Sequence, residues 1–180
     1  MNGLDIHYLE SGYDSPNRPL IVLLHGFPEL SFSWRFVMEP LADQGFHVVA
    51  PDQRGFGKTT GWDNSYTSDL SSYHHINLVR DILGFVNALG YKSVECIIGH
   101  DSGSGVAGWS SLIRPDIYKS VIMMSAPFGG VQTLPFATKN SSSHVDFSDS
   151  IYDDLANLDR PRKHYQQYYR TLQANKDIME

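Results

Sequence analysis

Uninterrupted aliphatic runs, separated by amphipathic stretches and closed by Gly or Pro, organise the chain as far as Ala126. Leu20-Ile21-Val22-Leu23-Leu24 has no polar position, so both of its faces must meet apolar matter, as in a strand buried inside a parallel sheet. Phe46 to Ala50, Val94 to Ile98 and Val121 to Met124 read as further strands, and Ile6 to Leu9 as a short one ending at Ser11-Gly12. Helical periodicity falls between these runs. Phe32 to Leu41 carries Phe36, Val37 and Leu41 on one side despite Pro40, and Gly103 to Ile113 is helical up to Arg114-Pro115. Leu78 to Leu89 carries Leu78, Ile82, Phe85, Val86 and Leu89 on its apolar face and stops at Gly90. Strands alternating with helices predict an α/β construction with a mostly parallel sheet and flanking helices.

A long polar loop runs from Gln53 to about Ser72, and beyond Ala126-Pro127 the pattern changes. Thr133 to Ser150 is rich in Ser, Thr and Pro with little periodicity, followed by helical tracts near Tyr152 to Leu158 and from Arg162 to the end. The expected division is therefore 1–130 and 131–180, without an internal repeat or a linker long enough to separate independent domains.

Composition narrows the class. A chain of 180 residues with 41% hydrophobic positions buries roughly 70% of its unfolded surface, enough for a core without disulfides. Twenty acidic residues against 14 basic ones, a formal charge of -6, disfavour nucleic acid as a partner. The single cysteine, Cys96, stands among apolar neighbours and cannot form an internal disulfide or a CxxC site, which fits a reducing compartment. Met1 to Asp5 lacks a basic start and an apolar stretch, and Leu20 to Leu24 is far short of the ~20 residues that span a bilayer. A soluble, cytoplasmic protein with no membrane partner is expected; the oligomeric state is left open.

The chemistry concentrates in Gly99-His100-Asp101-Ser102-Gly103, between a strand and a helix. A nucleophile elbow needs small residues two before and two after the nucleophile, and only Asp101 has glycine at both offsets. Ser102 and Ser104 do not fit, which argues against a serine esterase. The simpler alternative is that Asp101 caps the following helix. His25-Gly26-Phe27-Pro28-Glu29 follows the buried strand, where a backbone N–H can help to form an oxyanion hole. Pro28 has no N–H, so Phe27 is the candidate donor, and the N–H of Ser102 is the second.

These motifs, with Asp52-Gln53-Arg54-Gly55-Phe56-Gly57 between them, resemble those of α/β-hydrolases of the soluble epoxide hydrolase and haloalkane dehalogenase group, in order and spacing. Arg160 to Tyr169 resembles the start of the helical cap, which makes 1–130 the front of the core and 131–180 the beginning of the cap. The resemblance implies an α/β-hydrolase fold and an epoxide-opening enzyme with Asp101 as nucleophile, Phe27 and Ser102 as oxyanion donors, and Phe27 and Tyr165 lining the substrate. It also implies a cap tyrosine as proton donor. The Tyr-Gln-x-Tyr pattern puts Tyr168 in that place, with Tyr165 the alternative; Tyr165, Tyr168, Tyr169 and Leu172 are spaced for one helix face. The partners implied are a small apolar epoxide and water.

The water-activating histidine and its carboxylate come from loops after the cap in this family. None of the eight histidines matches that base, no acid follows the strand in Ser125 to Gly130, and the first core strand expected before Leu4 is absent. The chain accordingly reads as a fragment of a longer hydrolase lacking the later core strands, inactive or limited to one turnover.

Haloalkane dehalogenase is the nearest rival. Its halide needs an indole beside the nucleophile, where this chain has Ser102, and Trp34, Trp62 and Trp109 stand elsewhere. A non-catalytic relative that binds a small apolar molecule is the third reading. Gly103 to Gly108 matches the letters of a dinucleotide fingerprint, but its first glycine comes too late after Ile98 and the next strand ends without a ribose-binding acid. Its glycines more simply let a helix pack tightly on the sheet. Gly57-Lys58-Thr59 lacks the upstream glycine of a phosphate loop, and no group of His, Cys, Asp and Glu has metal spacing. No cofactor is expected.

Overall fold

β1 (Tyr8–Ser11), β2 (Leu20–Leu24), β3 (His47–Pro51), β4 (Cys96–His100) and β5 (Val121–Met124) form one sheet in the order β1-β3-β2-β4-β5. The computed structural model describes residues 2–14, 17–65, 67–126, 157–160, 165–169 and 171–179. β3, β2, β4 and β5 run parallel, while β1 pairs antiparallel with β3, Tyr8 opposite Pro51. The sheet is thus mixed, with its parallel portion as the sequence implies. Three helices follow: α1 (Arg35–Asp43), α2 (His75–Ala88) and α3 (Ser102–Ile113).

The apolar run of β2 is explained by its place between β3 and β4. Side chains alternate across a strand, so Leu20, Val22 and Leu24 join Phe85 and Val86 of α2 and Val106 of α3. Ile21 and Leu23 face the other way, into Trp34, Met38 and Ala42. Both faces of β2 are covered, the arrangement that selects an all-apolar strand, whereas Ile122, Met123 and Met124 of β5 are exposed.

Two helices differ from expectation. Residues 32–41 do not form one helix: a 3-10 turn, Ser31–Trp34, precedes α1. Trp34, Met38 and Ala42, one turn apart, dock on the sheet, leaving Phe36 76% and Val37 41% exposed while Leu41 is only partly buried. The turn sets the phase of the helix, and the guanidinium of Arg35 lies over the rings of Phe32 and Phe36, 4.3 and 4.2 Å from their centroids, which gives these rings a polar partner outside the core. α2 follows the expected face: Ile82, Phe85 and Val86 are buried, and Leu78 and Leu89 pack against them. Gly90, at φ +83°, turns the chain out of that helix.

The chain divides into two compact units, Met1–Gly130 and Val131–Glu180. In the second, α4 (Tyr165–Tyr169) and α5 (Leu172–Met179) replace the single tract expected from Arg162 onward. Thr171 divides them. Its hydroxyl donates to Tyr168 O at 2.7 Å and accepts the N–H of Ala174 at 3.2 Å, so it caps α5 and begins a new helix. Leu172 therefore does not extend the face of Tyr165, Tyr168 and Tyr169. The Ser- and Thr-rich stretch from Thr133 and the helical tract expected from Tyr152 lie outside the described residues, apart from 157–158. No described helix is long and apolar enough to cross a membrane.

A buried ion pair anchors the loop after β3. Arg54 Nε donates to Asp81 Oδ2 at 2.7 Å and Arg54 Nη2 to Oδ1 at 2.8 Å, with both side chains almost fully buried. Asn2 Nδ2 adds a third donor to Asp81 at 2.6 Å. The Arg54→Met variant leaves Asp81 buried without its cation and is expected to lower unfolding free energy by about 3–5 kcal/mol. Urea unfolding checks this; a change within experimental error would show that the pair is dispensable.

Candidate active site

β2 and β4 are neighbours and run parallel, so the loops that follow them leave the sheet at the same edge. The loop after β2 begins with His25 and the turn after β4 with Asp101. Asp101 has φ 52° and ψ -119°, a conformation that a non-glycine residue adopts only when its surroundings impose it. A Cβ on Gly99 would lie 2.2 Å from Gly103 O, so strand and helix approach each other too closely for any side chain there. Asp101 N–H donates to Met124 O at 2.9 Å, and the Ser104 hydroxyl accepts from Met124 N–H while lying 2.7 Å from Gly99 O. The bend is thereby tied to β5, and the Ser104 oxygen is committed to backbone.

The Asp101 side chain makes no capping bond to α3. It turns instead to the loop after β2, where Phe27 N–H donates to Oδ1 at 3.0 Å. Gly26 permits this approach, because a Cβ there would fall 2.5 Å from Asp101 Cβ. The Phe27 N–H bond is the main reason that the Asp101 carboxyl is held below its ordinary range; partial burial opposes it, and the Ser102 N–H and His100 add to the lowering. The carboxylate thus accepts the Phe27 N–H, and the backbone of Ser102, the next residue, helps to keep it ionised. The structure brings these three sequence candidates together. Tyr165 and Tyr168 lie in the other unit, where the Tyr168 hydroxyl donates to Asp177 Oδ2, a bond that raises its pKa.

Buried polar groups hold the loop after β2 in place. His25 is fully buried; its Nε2 accepts Gln53 N–H at 3.1 Å, so Nδ1 carries the hydrogen and donates to Gly26 O at 2.9 Å. Gln53 Nε2 donates to His25 O at 2.6 Å. Asp52 accepts Ser31 N–H at 2.9 Å, Lys58 N–H at 3.0 Å and a bond from His7 Nδ1 at 2.9 Å. Burial pushes the Asp52 carboxyl up, but these donors outweigh burial and hold it below its ordinary range.

Sequence reasoning singled out neither Asp52 nor Gln53 as supports of the Phe27 loop, and it missed His7 altogether. It also missed that Glu29 Oε2 meets His100 Nδ1 at 3.2 Å beside Asp101. The one available signal was Asp52-Gln53 standing directly after a strand. The glycines from Gly103 to Gly108 lie in α3, and a Cβ on Gly103 would fall 2.5 Å from Leu24 O, so tight packing on the sheet accounts for Gly103.

Comparison with known proteins gives a family model, alpha/beta hydrolase fold, that matches residues 19–175. An epoxide hydrolase of Caballeronia sordidicola is 35% identical over 127 residues, covering 71% of this chain and 36% of that protein. The crystal structure of an epoxide hydrolase from Vigna radiata matches with TM-score 0.62 and 37% identity, over 71% of this chain and 37% of that one. The structure of an epoxide hydrolase mutant from Solanum tuberosum matches with TM-score 0.65 and 36% identity, over 74% and 40%. The chain spans little more than a third of the length of the curated relatives it matches.

Burial lowers the pKa of His25 below its ordinary 6.5, with the Gly26 bond and the charges of Asp52 and Glu29 opposing. The unfolded chain therefore takes up a proton that the folded chain refuses, so this share of stability is complete above the unfolded pKa and declines as pH falls. Thermal melts from about pH 7 to about pH 5 are expected to shift downward. The His25→Gln variant is expected to melt lower at neutral pH but to lose less in acid. An equal acid loss in both proteins would place the effect elsewhere.

Proposed function

From the premise that the chain belongs to the alpha/beta hydrolase fold family and resembles its epoxide hydrolases, we propose that Asp101 opens an epoxide to give an alkyl-enzyme ester on the way to a vicinal diol. The observation that carries this reading is the strained bend that aims the Asp101 carboxylate at Phe27 N–H. A carboxylate at this bend is a nucleophile that needs no prior deprotonation. Phe27 N–H engages Oδ1, so Oδ1 becomes the carbonyl oxygen of the ester and Oδ2 attacks a ring carbon. The C–O bond of the ring breaks as the new C–O bond forms, and the released alkoxide takes a proton.

Residues 1–130 act as the core and 131–180 as the start of the cap that supplies that proton. Tyr168 is the proposed acid and Tyr165 the alternative; because the Tyr168 hydrogen is donated to Asp177, Tyr168 acts only on releasing that bond. The cap tyrosines hold the epoxide oxygen, and Phe27 and Tyr165 border the substrate. In hydrolysis of the ester, water attacks the carbonyl carbon and negative charge develops on Oδ1, where the N–H groups of Phe27 and Ser102 stabilise it. Among the described residues of the loops around Asp101, neither His25, both of whose ring nitrogens are engaged, nor His100, whose Nδ1 faces Glu29, is assigned the water-activating role. The ester is therefore expected to persist. The residue after the nucleophile, Ser102, offers no indole to a halide, which favours an epoxide over a haloalkane. The reaction as written needs only the epoxide and water, and the cytoplasm is the proposed location.

Incubation with styrene oxide is expected to raise the intact mass by one epoxide, with no adduct in Asp101→Asn. Peptide mapping should place the ester on Asp101. No adduct on a protein that melts cooperatively, or an equal adduct in Asp101→Asn, would overturn the proposal. Release of many equivalents of diol would overturn the persistence of the ester. Loss of the acid is expected to slow adduct formation by about a hundredfold or more. Comparing Tyr168→Phe with Tyr165→Phe identifies which tyrosine serves.

A further inference from the structure

The end of the sheet opposite Asp101 carries an open groove of about 710 Å³, bordered by α2, by the turn that leads into β4 and by the turn after α3. β4 lies between the two places: Tyr91 and Lys92 precede it and Asp101 follows it, so the groove and the nucleophile are separated by about 16 Å, the length of a five-residue strand. The groove shares no residue with the site around Asp101.

Its lining has two characters. Leu83, Ile117 and the ring of Tyr91 contribute apolar surface, while the exposed Arg80, Lys92 and Asn87 carry hydrogen-bond donors. Arg114 also lines the groove, but Asp116 neutralises it through bonds of 2.8 and 2.6 Å. Arg80 has only a 3.4 Å contact with the neutral Asn77 side chain, and among the described residues neither Arg80 nor Lys92 pairs with a carboxylate. Two cations that pair with no carboxylate among the described residues thus line one groove of mixed polar and apolar character, on a chain whose net charge is -6.

We propose that this groove binds a small phosphate monoester with an apolar substituent. Near neutral pH such a phosphate carries close to two negative charges, which match the two unpaired cations; a carboxylate would leave one of them uncompensated. The Arg80 fork suits two phosphate oxygens, Lys92 acts as a point charge, and Asn87 offers its amide hydrogens. The apolar substituent lies along Leu83, Tyr91 and Ile117, away from water. The inference does not depend on the reaction at Asp101.

The test is titration of the full chain with phenyl phosphate by calorimetry. Binding is expected to weaken as salt is raised, because the cations lie at an open rim. Arg80→Glu and Lys92→Glu are each expected to weaken it by at least about tenfold, whereas Asp101→Asn is expected to leave it unchanged. Both reversed side chains are exposed, and a cooperative melt of each variant verifies folding. The proposal is overturned if phenyl phosphate does not bind, if either charge reversal leaves affinity unchanged, or if Asp101→Asn abolishes binding. Equal affinity for inorganic phosphate would overturn the apolar half of the site.

Discussion

A single hydrogen bond, from Phe27 N–H to Asp101 Oδ1, joins two loops that are 74 residues apart in sequence, and much of the first unit serves to keep it short. It requires β2 and β4 to be neighbours in parallel, so that both loops leave the same edge of the sheet. It also requires a missing side chain at Gly26, where any Cβ would strike Asp101. On one side, Met124 and Ser104 clamp the bend through β5. On the other, His25, Gln53 and Asp52 clamp the loop through β3. Backbone strain at Asp101 persists because packing and hydrogen bonds on both sides determine that conformation.

The same clamps explain how polar groups are tolerated inside the fold. His25, Asp52, Arg54 and Asp81 are all buried, yet each has partners that offset the loss of water. Arg54 extends the loop after β3 as far as α2, so the support behind Phe27 reaches across one face of the sheet. These bonds hold the loop that presents the Phe27 N–H to a carboxylate kept below its ordinary range. Charge is distributed unevenly along the strand axis: the Asp101 carboxylate stands at one end of the sheet, and at the other stand the Arg114–Asp116 pair and two cations, Arg80 and Lys92, that pair with no carboxylate among the described residues.

Legibility varies with the range of the interaction that decides each element. β2 is evident because burial on both faces demands an apolar residue at every position, and α2 because its face repeats with the helical period. α1 is not: Phe36 and Val37 are apolar yet exposed, since Trp34, Met38 and Ala42 dock on the sheet, and the Arg35 guanidinium stacks on the exposed rings of Phe32 and Phe36. The tyrosine tract likewise reads as one helix, although the Thr171 hydroxyl, a cap that operates over three residues, divides it in two.

The local sequence determined the tight bend at Asp101, because glycines two before and two after it leave room for strand and helix to approach each other. It also determined that Phe27, and not Pro28, could donate. Only the tertiary structure decided that the Asp101 side chain turns toward Phe27 rather than capping α3, and that Asp52, Gln53 and His7 support the loop. Those choices depend on the order β3-β2-β4, which brings three distant strand ends to one edge. Strand order is a property of long-range pairing and helix docking, and no short stretch of residues encodes it.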